Sequence, residues 1–568
     1  MEKKRIICGV GKIQNDFEYI FPHIKPDYYI ETPNSQIYDS SMDICSFDVL
    51  DNEIDEVEII ICDDNKEYCV NKLAEYGYIY GIHVKYADDF FESLDYPIIS
   101  KMGKRKLAIW GTTSSKEIVM KHLSAGSNQL LNRLSYFIDN DKTKKGTVID
   151  GVEVISGEEY DIWKKCFIIV ASSAYSEIKE QLEAIGLIET EDFINYVKAI
   201  RPSEMLKKTI YDKPLKGVEC MWPFEKINIQ PYGCYLCDWP SWLTTPVGNI
   251  FTDKPNDIWN SNVSRVIRLS MLNHTFSFCE SDVCPYLSLE KEYDEDYIFD
   301  IKQIQDCSIP QIPTDISLSY DNSCNLQCLS CRQNKILCHS PYAEKEMDNV
   351  DKKIKESGWL NKASIIKVAG NGEVFFSKHY RNIVLESPVQ RNNIVIQTNG
   401  TTINEKDIQK LTNTYKHVEF YISIDASTPE TFKKLRTGSW DRLTQGLDIL
   451  SKYRKLNKIK RIRLSFVIQK DNYKEIIDFI KMAKRYGFDW IYFSRLQNFP
   501  KWPEEIFWEK SMILPNGKMR EELIEVFKEP LIQDDIVDIR QFYRNIDISG
   551  IGNLFQNRKE TVFWSEID

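Results

Sequence analysis

Three cysteines fall close together at Cys324, Cys328 and Cys331, in the run Ser319-Tyr320-Asp321-Asn322-Ser323-Cys324-Asn325-Leu326-Gln327-Cys328-Leu329-Ser330-Cys331-Arg332. A strand-like segment, 314–320, leads straight into them, and a regular alternation of strand and helix patterns follows to about residue 497. Strands are expected at 315–320, 364–369, 393–398, 417–424, 461–468 and 489–494, with helices between them, for example over 405–415 and 473–486. That order predicts an α/β fold in which six parallel strands and right-handed helical crossovers form a partial (β/α)6, TIM-like barrel. In such folds chemistry collects at the C-terminal ends of strands, where the cysteine loop falls. Three thiolates on one loop can hold three irons of a cubane 4Fe–4S cluster and leave the fourth open. A zinc ion with His339 or Cys338 as fourth ligand is the competing reading.

At 568 residues the chain is too long for one core, so several domains are expected. A net charge of -12 argues against a nucleic-acid partner, which would favour a basic face. No run of about 18 apolar residues is present, so no transmembrane helix is expected. The start, Met1 to Gly11, is charged and then enters a strand, unlike a secretory signal. The 15 cysteines are then read as metal or Fe–S ligands in a reducing cytoplasm rather than as disulfides.

The first 200 residues read as two small α/β modules, 1–103 and 104–200. In the first, strands are expected at 6–8, 27–30 and 57–62 and a helix at 71–76. In the second, strands are expected at 107–110, 134–138 and 167–171, with helices reaching about 124 and over 175–185. Both run strand, Gly turn, helix, strand, and so resemble diverged half-Rossmann units. Neither has G-x-G-x-x-G: Gly9-Val10-Gly11 is followed by Gln14, and the second turn has only Gly111. The second module, through Ile109-Trp110-Gly111, Phe137-Ile138-Asp139-Asn140-Asp141, Gly151-Val152-Glu153-Val154-Ile155 and Gln181 to Gly186, resembles the Rossmann-like domain attached to capsule and sugar-modifying enzymes. A docking or recognition role is favoured over nucleotide binding.

Each later strand of the third region also ends in a polar motif. These are Gly370-Asn371-Gly372-Glu373, Gln397-Thr398-Asn399-Gly400, and Ile422-Ser423-Ile424-Asp425-Ala426 running on to Leu435-Arg436-Thr437-Gly438. With the cysteine loop, they resemble the radical S-adenosylmethionine (radical SAM) superfamily. The resemblance implies that Cys324, Cys328 and Cys331 are catalytic and hold the cluster. It implies that SAM chelates the open iron. Gly370, Gly372 and Glu373 would then meet its amino group, Ser423 and Asp425 its ribose, and Arg436 its carboxylate, with Thr398 and Asn399 lining the pocket. Alternation along the strand sends Ser423 and Asp425 to one face. Two departures stand out. Ser330 replaces the aromatic residue that often precedes the third cysteine, and Arg332 matches a subgroup carrying extra clusters.

Residues 216–310 read as cysteine-rich and irregular. They contain Cys220, Cys234, Cys237, Cys279, Cys284 and Cys307, with Val247-Gly248-Asn249-Ile250, Ile258-Trp259-Asn260-Ser261 and Arg265-x-x-Arg268 between them. This order resembles the SPASM/twitch domain, which implies one auxiliary 4Fe–4S cluster held by Cys220, Cys237, Cys279 and Cys284. Cys234 competes with Cys237. The module usually follows the barrel of 311–498; here it precedes it. A helical extension, 499–568, closes the chain, with Trp502, Phe507 and Trp508 available to pack on the barrel.

The function so implied is reductive cleavage of SAM to a 5′-deoxyadenosyl radical that takes hydrogen from a carbohydrate, nucleotide-sugar or peptide substrate. It would work with net oxidation or bond formation, and with a flavodoxin- or ferredoxin-type electron donor. The alternative is a non-catalytic, zinc-stabilised Rossmann-type scaffold.

Overall fold

Strands that are apolar throughout, such as Ile59-Ile60-Ile61, Leu107 to Trp110 and Phe167 to Val170, are buried along their length. Such runs suit parallel sheets covered on both faces. The computed structural model describes residues 3–36, 42–50, 57–125, 130–281, 284, 287, 293, 311–331, 335–368, 370–386, 393–498 and 502–542. Cys307, Arg332 and the tail beyond 542 lie outside them. The chain divides into two units, Met1–Pro313 and Thr314–Asp568.

In the first unit, β1 (Lys4–Cys8), β2 (Tyr28–Ile30), β3 (Ile44–Cys45), β4 (Val57–Ile61) and β5 (Val84–Tyr86) form a parallel sheet in the order β3-β2-β1-β4-β5. A second sheet holds β6 (Leu107–Trp110), β7 (Leu134–Asp139), β8 (Val148–Ile149), β9 (Val152–Ser156), β10 (Phe167–Val170) and β11 (Phe193–Asn195), in the order β11-β10-β6-β7-β9-β8. Among the described residues its only antiparallel pair is β8 with β9, at the edge. With β8 set aside, both sheets wind alike: the first strand is central, the next two lie on one side and the last two on the other. The helix expected at 71–76 starts earlier, at Lys66, because Asn65 caps it by accepting the Tyr68 amide at 3.1 Å.

His122 lies buried on the helix Ser114–Ser124, where its Nδ1 accepts the Arg201 amide at 3.4 Å. Burial, then the charges of Lys121 and Arg201, push its pKa down to about 4. The folded group therefore resists a proton that the unfolded chain binds near pH 6.5. Its contribution is complete above pH 6.5 and is lost as pH falls toward 4, by roughly 3 kcal/mol at most. Urea unfolding of the wild type at pH 7.5 and pH 5 should show this loss, and His122→Gln should flatten it. Equal pH slopes for the two proteins would contradict the assignment.

The segment expected to be irregular contains a hairpin, β12 (Lys226–Gln230) and β13 (Gly233–Tyr235), paired antiparallel across Pro231-Tyr232. The alternation Lys-Ile-Asn-Ile-Gln is a strand signal, with Ile227 and Ile229 wholly buried. The helix Asn262–Leu272 follows, capped by Ser261, whose Oγ accepts the Ser264 amide at 3.1 Å.

The second unit contains β14 (Asp315–Leu318), β15 (Ile365–Val368), β16 (Asn393–Thr398), β17 (His417–Ser423), β18 (Arg461–Ile468), β19 (Trp490–Arg495) and β20 (Val537–Asp538). Each pairs parallel with the next. Spatial order thus follows chain order, and all C-terminal strand ends share one edge. The short β20 comes from the tail read as helical; two residues are too few for a period to register. No helix among the described residues is long and apolar enough to cross a membrane.

Candidate active site

The cysteine loop leaves β14 and is held by buried polar groups. Asp321, 1% exposed, accepts the Ser323 amide at 2.8 Å and His339 Nε2 at 2.9 Å, and also takes the Ser377 hydroxyl. Burial opposes its ionisation, but the hydrogen bonds from His339, Ser377 and the Ser323 amide prevail and bring its pKa down to about 2. Tyr380 Oη accepts the Asp321 amide and donates to the Asp321 carbonyl, both at 2.9 Å. Farther along, the Cys324 amide donates to Ile336 O at 2.7 Å. Cys328 is buried and Cys331 exposed, so the loop presents one edge outward. Sequence reading passed over Asp321, Ser377 and Tyr380, and weighed His339 as a zinc ligand rather than as a partner of Asp321. The Asp-Asn-Ser turn directly before Cys324 was the available signal for Asp321.

The next strand end lies against this loop. A Cβ on Gly372 would stand 2.6 Å from Asp321 O and 2.8 Å from Ser323 O, and one on Gly370 would stand 2.8 Å from Ser319 Oγ. These glycines therefore admit the cluster loop's own chain, whatever they do for a ligand. The Glu373 amide donates to Ser323 O at 2.9 Å. The Glu373 carboxylate, 1% exposed, faces the third strand end: it accepts Thr398 Oγ1 at 2.6 Å, the Asn399 amide at 2.7 Å and Thr402 Oγ1 at 2.9 Å. Burial raises its pKa, and these donors partly offset that. An approaching amine would share oxygens with three donors already in place. Asn399 carries the chain of contacts back to the cysteines, its Nδ2 lying 2.9 Å from Asn325 Oδ1 and 3.9 Å from Cys324 Sγ.

The fourth strand end differs from expectation in one respect. β17 stops at Ser423, and Asp425 has a left-handed backbone with φ 61°. Strand alternation therefore does not carry Ser423 and Asp425 to one face. Asp425 is 1% exposed; its Oδ1 accepts the Val467 amide at 2.7 Å and its Oδ2 pairs with Arg436 Nη2 at 2.7 Å. Burial raises the Asp425 pKa, and Arg436 pulls the other way. Arg436 Nη1 meets Cys328 Sγ at 3.6 Å, while its Nε is buried without a hydrogen-bond partner. Burial raises the Cys328 thiol, which the Arg436 charge counters and Cys331 reinforces. The helix Pro429–Arg436 that delivers this arginine is anchored at its start by Glu475, which accepts the Ser427 amide at 2.5 Å and Thr428 Oγ1 at 2.7 Å.

In the first unit, Cys220, Cys237, Cys279 and Cys284 lie close enough that Cys220, Cys237 and Cys284 all raise the pKa of Cys279 and all six pairs interact. Burial is the larger cause, pushing Cys220 up to about 11 and Cys237 up to about 12. Cys234 lies on β13, where its charge acts on Tyr196 and Tyr235 and its amide donates to Gly248 O at 2.8 Å. Arg268, wholly buried, links two neighbouring segments: its Nε donates to Pro223 O at 2.8 Å and its Nη1 to Trp259 O at 2.9 Å. Among the described residues, no three cysteine sulfurs lie within 4.8 Å of one another.

Comparison with known proteins bears on part of this. Residues 103–192 match the family described as C2185-like, N-terminal. No curated protein matches the chain. Solved structures with some likeness include SuiB of Streptococcus suis bound to its precursor peptide SuiA, at 15% identity and TM-score 0.26, over 44% of this chain and 56% of that one. Others are TYW1 with a lysine-pyruvate adduct, at 13% identity and TM-score 0.26, over 37% and 70% of the two chains. The protein anSMEcpe with AdoMet and the Cp18Cys peptide aligns at 14% identity and TM-score 0.28, over 39% and 62%. The alignment spans little more than half of SuiB, and TM-scores this low decide nothing about this chain. Residues 319–483 match the radical SAM superfamily, whose members are enzymes that use a 4Fe–4S cluster and SAM, and that superfamily is the affiliation the match supports.

Proposed function

We propose that the chain is a radical SAM enzyme that modifies a carbohydrate, nucleotide-sugar or peptide substrate. Its parallel strands would form the partial barrel, and a SPASM/twitch-like segment would precede it. The observation that carries this reading is the gathering of polar strand ends around the cysteine loop, with Arg436 bridging Asp425 and Cys328 Sγ. The donor set fits a cluster with one open iron. It offers three thiols, while His339, a possible fourth ligand for zinc, is committed to Asp321. The buried Arg436 Nε without a partner fits a site for a carboxylate. When bound, the cluster and SAM supply one-electron cleavage of a C–S bond and hydrogen abstraction by the resulting 5′-deoxyadenosyl group.

The chain's own part is binding and orientation. Cys324, Cys328 and Cys331 hold the irons. Glu373, Thr398 and Asn399 fix the loop beside Gly370 and Gly372. Ser423 and Asp425 line the ribose side, Asp425 also holding Arg436 in place. In the first unit, Cys220, Cys237, Cys279 and Cys284 would hold one auxiliary cluster. A flavodoxin- or ferredoxin-type protein would supply electrons.

Anaerobic metal analysis tests this division. About eight irons per chain are expected in the wild type, and about four after the double change Cys237→Ala and Cys279→Ala, with Cys234→Ala leaving eight. One or two zincs per chain instead would support the non-catalytic scaffold and overturn the proposal.

A further inference from the structure

Tyr320, which leads into the cysteine loop, donates its hydroxyl to Asp351, and there a second cluster of ligand-type side chains begins within the second unit. Glu344, Asp348 and Asp351 follow one another at spacings of four and three on the helix Pro341–Glu356, so they stack along one face. Asp348 is exposed, Glu344 half-buried and Asp351 5% exposed. His379, on the helix Lys378–Arg381, lies against this face and is 2% exposed. Its Nδ1 stands 2.9 Å from Asp351 Oδ2 and 3.9 Å from Asp348 Oδ1. One ligand atom each from Asp348, Asp351 and His379 fall within 4.8 Å of one another.

The other ring nitrogen points to a ligand. His379 Nε2 is buried with no hydrogen-bond partner, yet it stands 3.4 Å from Glu344 Oε1. A buried polar atom in that state is costly unless something binds it. Metal-bound imidazoles usually donate their second ring N–H to a carboxylate, which fixes the tautomer and aims the free nitrogen. Here Nδ1 has Asp351 as that carboxylate, itself held by Tyr320, and Nε2 faces Glu344. Two atoms each about 2.1 Å from one metal stand roughly 3.0–3.4 Å apart. The Nε2–Glu344 separation of 3.4 Å is therefore already that of two ligands of one ion.

The surroundings attract positive charge. Burial disfavours a proton on His379, but Asp351, Asp321 and Glu344 outweigh it and raise the pKa. Lys378 serves the outer carboxylates, its Nζ 3.0 Å from Glu344 Oε1 and 3.4 Å from Asp348 Oδ1. Its side chain is 65% exposed and free to swing into water when an ion arrives.

We propose that this cluster binds one divalent transition-metal cation through His379 Nε2, Glu344 and Asp348, with Asp351 orienting the imidazole and water completing the shell. One imidazole and two carboxylates, without a thiolate, make a harder donor set than the cysteine sites. The site is independent of the radical SAM reading. Mn2+ is the probe, because it prefers carboxylates to thiolates and carries an electron-spin signal. Titration of the full-length protein, purified without oxygen, should show one Mn2+ per chain with Kd below about 100 μM. Its spin-echo spectrum should show nitrogen coupling from the imidazole, lost in His379→Gln. Asp348→Asn and Glu344→Gln, at positions open to solvent, should each weaken binding about tenfold with unfolding midpoints kept. Lys378→Met, which removes the competing ammonium, should tighten it severalfold. Absence of saturable binding below about 1 mM, binding without nitrogen coupling, wild-type affinity in both carboxylate variants, or affinity unmoved by Lys378→Met would overturn the proposal.

Discussion

Cys328→Ser is expected to lose the iron held by the 324–331 loop and to lower 5′-deoxyadenosine formation by at least about three orders of magnitude, ~4 kcal/mol in barrier. Cys328 is the buried member of the trio, 8% exposed, and its sulfur lies on Arg436 Nη1. A serine oxygen is a poor soft-metal ligand. It would also leave the guanidinium, already tied to Asp425, without its anionic neighbour. Far-UV circular dichroism should be unchanged, because the strand ends are fixed by Asp321 and Glu373 rather than by the thiol. Cys338→Ala is the discriminating control. Cys338 is exposed and would be needed only if the loop held zinc. Iron and activity should survive that change; their loss would favour zinc.

Gly372→Ala should be the most damaging single change outside the thiols. The added methyl meets two backbone carbonyls, Asp321 O and Ser323 O, at 2.6 and 2.8 Å. Backbone cannot swing aside as a long side chain can, so the cluster loop itself must shift. Overpacking of this sort costs about 1–3 kcal/mol. Here the displaced atoms are those that set the position of Cys324, so iron retention should fall by half or more while the first unit keeps its stability. Gly487→Ala makes the contrast. Gly487 has φ 72° and nothing near its Cβ direction. That variant should lose about 1 kcal/mol of stability and keep its iron. Full iron and activity in Gly372→Ala would show that the loop tolerates the displacement.

Much of the second unit was legible because its strands are apolar runs of ordinary length separated by amphipathic helices. Asn393–Thr398 and Arg461–Ile468 were read with the observed bounds, and the other strands differ at their ends by two residues at most. The order strand, Gly turn, helix, strand in the first two modules was likewise carried by short buried strands ahead of Gly turns. What escaped depends on contacts between distant residues. Glu373 reads as a ligand-facing acid in its motif, yet its oxygens are taken by Thr398, Asn399 and Thr402 from another strand end. Asp425 looks like the next outward position on a strand, but a positive φ turns the chain first. Cys234 and Cys237 compete by spacing, and the hairpin puts Cys234 on β13 and Cys237 just past its end. Asn273 has no local mark at all, because its partner Asp16 lies more than 250 residues earlier.

Anaerobically reconstituted protein, reduced with dithionite and given SAM, provides the most direct measurement. Methionine and 5′-deoxyadenosine should appear in equal amounts, only with reductant, and not with Cys328→Ser. Iron-loaded, reduced protein that leaves SAM whole would contradict the central claim, as would zinc bound to Cys324, Cys328 and Cys331.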